Sequence, residues 1–139
     1  MAQSTEILPI GLQLLQDDRF FKLGQDSVLL SAFAKPRRNA KLLDLGCGTG
    51  ALALLVWRPD LKITGLELQD GPLDLFRQSI ATNELENVTA LQGDLRQMRT
   101  LLPHGSMDYV ICNPPYFDRN AGANAPTAEK RTARQDATC

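Results

Sequence analysis

The chain has 139 residues, and its 15 Lys and Arg residues against 16 Asp and Glu residues give a formal net charge of -1. That length accommodates one domain, and the balanced charge excludes a uniformly basic protein that coats nucleic acid. Every apolar run is shorter than the roughly 18 residues of a membrane-spanning helix, and the first residues lack the basic start of a signal peptide. The sequence therefore predicts no membrane partner and a cytoplasmic location. With one His and no C-x-x-C pair, it also predicts no metal site.

Short apolar runs alternate with helical patterns through the middle of the chain. The predicted strands cover residues 41–46, 62–68, 87–94 and 107–113. The predicted helices cover residues 28–34, 50–58, 72–83 and 95–102, with Asp26 or Ser27 as the expected cap of the first. This alternation implies right-handed βαβ units, and so an α/β fold with a Rossmann-like, doubly wound, mostly parallel sheet.

The composition divides the chain into three regions. Residues 1–40 are an N-terminal extension, whose first 24 residues allow a hairpin among other structures. Residues 41–117 form the core of the fold. Residues 118–139 contain no Leu, Ile, Val, Met or aromatic residue, so we expect a polar loop or a disordered tail there.

Alternate glycines, Gly46, Gly48 and Gly50, lie between the first predicted strand and the following helix, just after Asp44. Glycines at this spacing let the backbone turn sharply and approach a ligand closely. Such a ligand lies outside the carboxyl ends of the strands. Glu67 ends the next strand, where its carboxylate can accept hydrogen bonds from two adjacent ribose hydroxyls.

Two cofactor classes compete for this loop. It satisfies the dinucleotide fingerprint, but that fingerprint requires neither Asp44 nor Gly50. Asp44 followed by three alternate glycines resembles motif I of the class I S-adenosylmethionine-dependent methyltransferases. The resemblance implies a loop packed around the methionine part of S-adenosylmethionine, with Glu67 on the ribose and Asp94 near the adenine. The alternative role for Asp94 is to cap the helix that follows it.

The tetrapeptide Asn113-Pro114-Pro115-Tyr116 directly follows the last predicted strand. That strand is expected beside the first one, so the tetrapeptide and the glycine loop face one crevice. It resembles motif IV of amino methyltransferases that act on adenine N6, glutamine N5 or guanine N2. The side-chain oxygen of Asn113 and the carbonyl of Pro114 can accept hydrogen bonds from an exocyclic amine. These contacts favour the pyramidal form of the amine, which is the nucleophilic one. Tyr116 offers a flat face on which a base stacks.

An F-K-x-G segment followed by D-x-V-L-L, at residues 21–30, makes the chain similar to the bacterial tRNA(Val) adenine-N6 methyltransferases. The resemblance implies that Lys22 and Asp26 border the methionine end of the cofactor, and that tRNA is the substrate. That family continues beyond the NPPY loop with further strands, so we expect a truncated chain whose C-terminal strands are missing. The sheet edge left uncovered would favour self-association.

Three alternatives stay open from the sequence. A protein glutamine-N5 methyltransferase and a ribosomal RNA guanine-N2 methyltransferase share the NPPY pattern. A cofactor-binding remnant without turnover would also carry the glycine loop.

Overall fold

The computed structural model describes residues 3–20, 24–102 and 105–113, which form a hairpin followed by alternating strands and helices. The strands are β1 (Gln3–Ile7), β2 (Gln13–Asp17), β3 (Lys41–Leu45), β4 (Lys62–Glu67), β5 (Val88–Gln92) and β6 (Tyr109–Cys112). The helices are α1 (Gln25–Phe33), α2 (Ala51–Leu55), α3 (Asp70–Thr82) and α4 (Met98–Leu101), with a 3-10 turn (Leu95–Gln97) before α4. No helix among these residues has the length and apolar character needed to cross a membrane.

Four strands form a parallel sheet in the order β5-β4-β3-β6. The chain moves outward from β3 through β4 to β5 and then returns to the other side of β3, so its direction reverses between β3 and β6. This arrangement confirms the predicted Rossmann-like α/β fold. It also confirms that the last predicted strand lies beside the first.

Side chains alternate between two apolar layers along the central strands, as parallel strands with both faces covered require. On one face, Leu42 and Ile63 pack with Phe76 of α3 and with residues of α1 and α2. On the other face, Leu43 and Leu66 pack against Leu101 at the end of α4. The helices therefore cover both faces of the sheet, and its carboxyl ends are left to form the site.

Antiparallel β1 and β2 form an N-terminal hairpin. Side chains at the end of α3 bind the backbone of this hairpin. Asn83 accepts a hydrogen bond from the Gln13 amide at 2.8 Å and donates one to the Gln13 carbonyl at 2.7 Å. One turn earlier, the Ser79 hydroxyl accepts from the Leu15 amide at 2.9 Å. A hairpin in the first 24 residues was one of the structures that the sequence allowed, and the structure contains it.

Two helix predictions need correction. Helix α1 begins at Gln25 with Gly24 as its N-cap and no side-chain cap, so the capping role predicted for Asp26 or Ser27 is wrong, because both lie inside the first turn. Helix α2 ends at Leu55, three residues short of the predicted end at residue 58. Pro59 disfavours helical backbone in the residue before it, and the Arg58 guanidinium is held by Asp60 outside the helix.

Candidate functional site

The carboxyl ends of the parallel strands bring predicted site residues into one row. Strand β3 pairs with β4 on one side and with β6 on the other, and both pairings end at the same residue of β3. The residues that come next in the three strands are Gly46, Glu67 and Asn113, which therefore lie side by side. Gln92 of β5 pairs with Glu67 and extends the row. We call these residues the strand-end row. Since neighbouring strands are about 4.8 Å apart, the backbones of Asn113 and Glu67 are about 10 Å apart across it.

The loop after β3 leaves open space beside its first two glycines. Gly46 and Gly48 have φ angles of 63° and 57°, in the left-handed region that favours glycine. A Cβ atom built on either residue would meet nothing within 4 Å. The loop can therefore be approached by a ligand at these positions.

The third glycine of the loop has a different environment. Gly50 is buried, and a Cβ atom on it would come within 2.1 Å of the Phe76 ring. A Cβ atom on Gly65 of β4 would meet the same ring at 2.5 Å. Gly50 therefore permits close packing of α3 against the loop and the sheet, the role that the last glycine has in dinucleotide-binding loops.

Glu67 is buried and holds the glycine loop in place. Its Oε1 atom accepts a hydrogen bond from the Gly48 amide at 2.8 Å, and its Oε2 atom accepts one from the Gln69 amide at 2.9 Å. An ionised carboxylate offers about four acceptor positions. Both oxygens can therefore keep these backbone contacts and still accept from ligand hydroxyls.

Asp44 is a buried carboxyl with an unsatisfied oxygen. Among the residues that the structure describes, its Oδ2 atom has no hydrogen-bond partner. Burial raises the pKa of Asp44 to about 8, and the negative charge of Glu67 contributes to this increase, while the Ala53 amide opposes it. Ionised Asp44 is therefore destabilised until a cation or a hydrogen-bond donor binds beside it.

Asp94 is held by the residue two positions further along the chain. Its Oδ1 atom accepts from the Arg96 amide at 2.8 Å, and the Arg96 guanidinium hydrogen-bonds the same carboxylate. These hydrogen bonds lower the pKa of Asp94. Its backbone carbonyl accepts from the Gln97 amide. The capping role is thus confirmed, and the adenine contact stays a prediction.

The Asn113 side chain is anchored by a residue that sequence reasoning did not assign to the site. Its Nδ2 atom donates to the Ser27 hydroxyl of α1 at 2.7 Å. Ser27 lies in the D-x-V-L-L segment beside Asp26, which is exposed in the same helical turn. The two partners are 86 positions apart, so no local pattern signals the contact.

Other predicted site residues, Lys22, Pro114 and Tyr116, lie outside the residues that the structure describes. Within residues 3–20, 24–102 and 105–113, no group of three or more His, Cys, Asp or Glu residues is arranged to hold a metal ion.

The hydrogen-bond acceptors and the open space in this site fit a nucleoside cofactor. Glu67 offers acceptors for hydroxyl groups, the loop is open beside Gly46 and Gly48, and Asp44 presents a buried oxygen in need of a partner. The site contains this combination together with the amide side chain of Asn113.

Comparison with known proteins identifies relatives of the chain. The model of the methyltransferase small domain family matches residues 24–134. The tRNA1(Val) (adenine(37)-N6)-methyltransferase of Photobacterium profundum is 31% identical over 118 residues, covering 81% of this chain and 48% of that protein. The enzyme of the same name from a Shewanella species is 35% identical over 113 residues, covering 78% and 46%.

A solved structure shows the same fold. TYW2 of P. horikoshii, crystallised in complex with MeSAdo, superposes with a TM-score of 0.64 at 18% identity over 92% of this chain and 48% of that one. The chain spans about half the length of the curated relatives it matches. Its match to the family model over most of its length and its parallel sheet show that the chain belongs to the methyltransferase small domain family.

Proposed function

We propose that this protein transfers a methyl group from S-adenosylmethionine to an exocyclic amine, adenine N6 of tRNA, in the cytoplasm. The observation that carries the proposal is the strand-end row, in which an amide side chain lies on the same sheet edge as an open glycine loop and a buried acid. Family membership and the names of the curated relatives support the reaction and the substrate.

The cofactor would supply a methyl group that is activated by attachment to a positively charged sulfur. In our proposal the Glu67 carboxylate accepts hydrogen bonds from the two ribose hydroxyls, and Asp94 lies near the adenine. Asp44, Lys22 and Asp26 border the methionine end, together with the loop of Gly46, Gly48 and Gly50. The unsatisfied Asp44 oxygen supports a ligand that brings a cation or a hydrogen-bonding group to this position.

Residues after β6 would prepare the acceptor. The amine on a conjugated ring is a poor nucleophile because its lone pair is delocalised. Asn113 Oδ1 and the Pro114 carbonyl would accept hydrogen bonds from the amine and favour its pyramidal form. Tyr116 would stack on the base. Positioning and oriented dipoles would then supply most of the rate enhancement.

Replacing Glu67 with Ala should weaken S-adenosylhomocysteine binding to this chain by roughly 1.5–3 kcal/mol, the cost of losing hydrogen bonds to a charged group. Titration calorimetry measures the change. Glu86→Ala, which removes an exposed carboxylate before β5, is the matched control and should bind normally. Binding of NAD without binding of either sulfur cofactor would favour the dinucleotide interpretation instead.

The ligand-free chain should lose stability as the pH rises from about 4 to about 8. An aspartate in the unfolded state ionises near pH 3.9, whereas folded Asp44 keeps its proton until about pH 8. The unfolded state therefore binds fewer protons in this window, and the free energy of unfolding falls by at most about 1.4 kcal/mol per pH unit.

Asp44→Asn should flatten this dependence in urea denaturation followed at several pH values. Asp74→Asn, which replaces an exposed residue of α3, should leave the pH dependence unchanged. An unchanged slope in Asp44→Asn would show that Asp44 is not the group responsible.

Asn113→Ala should slow methyl transfer to unmodified tRNA by about 10²–10³-fold, the scale for losing a preorganised polar contact. The assay uses the complete gene product, whatever its length, with labelled cofactor and nucleoside analysis for N6-methyladenosine. Cofactor affinity should change far less, because Asn113 is proposed to act on the acceptor. Label on protein glutamine or on guanine would indicate one of the alternative substrates, and cofactor binding without any transfer would indicate a remnant.

We also propose that two copies associate along β6. No described strand pairs with the side of β6 that faces away from β3, and Val110 on that strand is 54% exposed. A strand edge of this kind pairs readily with another chain. Val110→Lys should therefore lower the mass measured by light scattering, whereas Thr89→Lys, an exposed change on β5, should not. A monomeric wild-type chain would contradict the proposal.

A further inference from the structure

In the hydrogen bond between Ser27 and Asn113, the nitrogen end of the Asn113 amide faces α1. The Nδ2 atom donates to the Ser27 Oγ atom at 2.7 Å. A side-chain amide has donors on its nitrogen and acceptor sites on its oxygen. With the nitrogen held by the helix, the Oδ1 atom is directed away from this contact.

The Ser27 hydroxyl makes this contact with a residue that is distant in the sequence. Serine near a helix start commonly caps the helix or binds a carbonyl of the preceding turn. Ser31, one turn later in α1, does so by donating to the Val28 carbonyl at 2.6 Å. Ser27 is buried, and among the described residues it accepts a hydrogen bond from a side chain at the end of β6. The hydroxyl therefore links two elements that meet at the candidate site.

We infer that Ser27 is a positioning residue for methyl transfer, which holds the Asn113 amide so that Oδ1 is presented to the acceptor amine. The inference rests on the proposed function. An amine hydrogen can be accepted by Oδ1 but not by the NH2 group, so only one orientation of the amide is productive. While its hydroxyl acts as the acceptor for Nδ2, Ser27 stabilises that orientation before the acceptor amine arrives, so less side-chain freedom is lost on binding.

The same helical turn would then serve both substrates. Asp26, proposed to border the methionine end of the cofactor, is the neighbour of Ser27 in α1. A shift of α1 would therefore move the cofactor contact and the acceptor contact together. In this inference Ser27 acts on catalysis through Asn113 and touches neither substrate.

Ser27→Ala should lower kcat for tRNA methylation by about 5- to 10-fold, the effect of one neutral hydrogen bond. The KM for tRNA and the affinity for S-adenosylhomocysteine should stay within about twofold of the wild type. Ser31→Ala, the same substitution one turn along α1, should change none of these quantities. A kcat of Ser27→Ala within about twofold of the wild type would overturn the inference.

A double-mutant cycle separates positioning from a general structural effect. If Ser27 acts through Asn113, adding Ser27→Ala to Asn113→Ala should lower kcat by less than about twofold. An equal loss in both backgrounds would overturn the inference. If Asn113→Ala itself leaves transfer unchanged, the acceptor assignment under the proposed function fails, and the role of Ser27 fails with it.

A spectroscopic measurement on this chain tests the contact independently of turnover. The side-chain amide signals of Asn113 in a ¹⁵N-labelled sample, assigned by their loss in Asn113→Ala, should shift and exchange faster with water in Ser27→Ala. They should not do so in Ser31→Ala. Unmoved signals in Ser27→Ala would overturn the inference even where kcat falls.

Discussion

The parallel register of β3 with its two neighbours is the constraint on which the candidate site depends. Strands β4 and β6 both pair with β3 up to the same residue at its carboxyl end. The residues that follow these pairs therefore lie next to one another across the three strands. A slip of one residue in either pairing would turn the side chains of that strand to the opposite face. In β4, Ile63 and Leu66 belong to different apolar layers, so a slip of that strand would move each of them out of the layer in which it packs.

Two acids at this edge of the sheet have opposite environments. Glu67 is buried, but two backbone amides hydrogen-bond its carboxylate. Asp44 is more deeply buried, yet one of its oxygens has no partner among the described residues. Buried polar groups without partners are costly, and retaining one beside an open loop is understandable where a ligand supplies the missing contact. Of these two acids, Asp44 is therefore the one whose hydrogen-bonding capacity is not met within the described residues.

Much of this architecture could be predicted from the sequence, because the relevant signals are local. The strand at residues 41–46 is an apolar run ended by glycines, and β4 ends at Glu67, one residue before the end of the strand predicted at residues 62–68. The contact between Ser27 and Asn113 could not be predicted, because it joins residues that only the tertiary fold brings together. The early end of α2 was missed because the side-chain contacts of the residues that follow it are not visible in the helix pattern. Arg58 is held outside the helix by ion pairing with Asp60 and by the Pro36 carbonyl, and helix periodicity reports neither contact.

The hydrogen bond from the Gly48 amide to Glu67 has a consequence for the thermodynamics of ligand capture. The loop is already tied to β4 by its own backbone in the ligand-free chain, and the Phe76 ring fills the space beside Gly50. Little conformational entropy then remains to be lost when a ligand binds, so a larger share of each new contact appears as affinity. The same rigidity limits which ligands fit, because a loop that is fixed in advance cannot widen for a bulkier one.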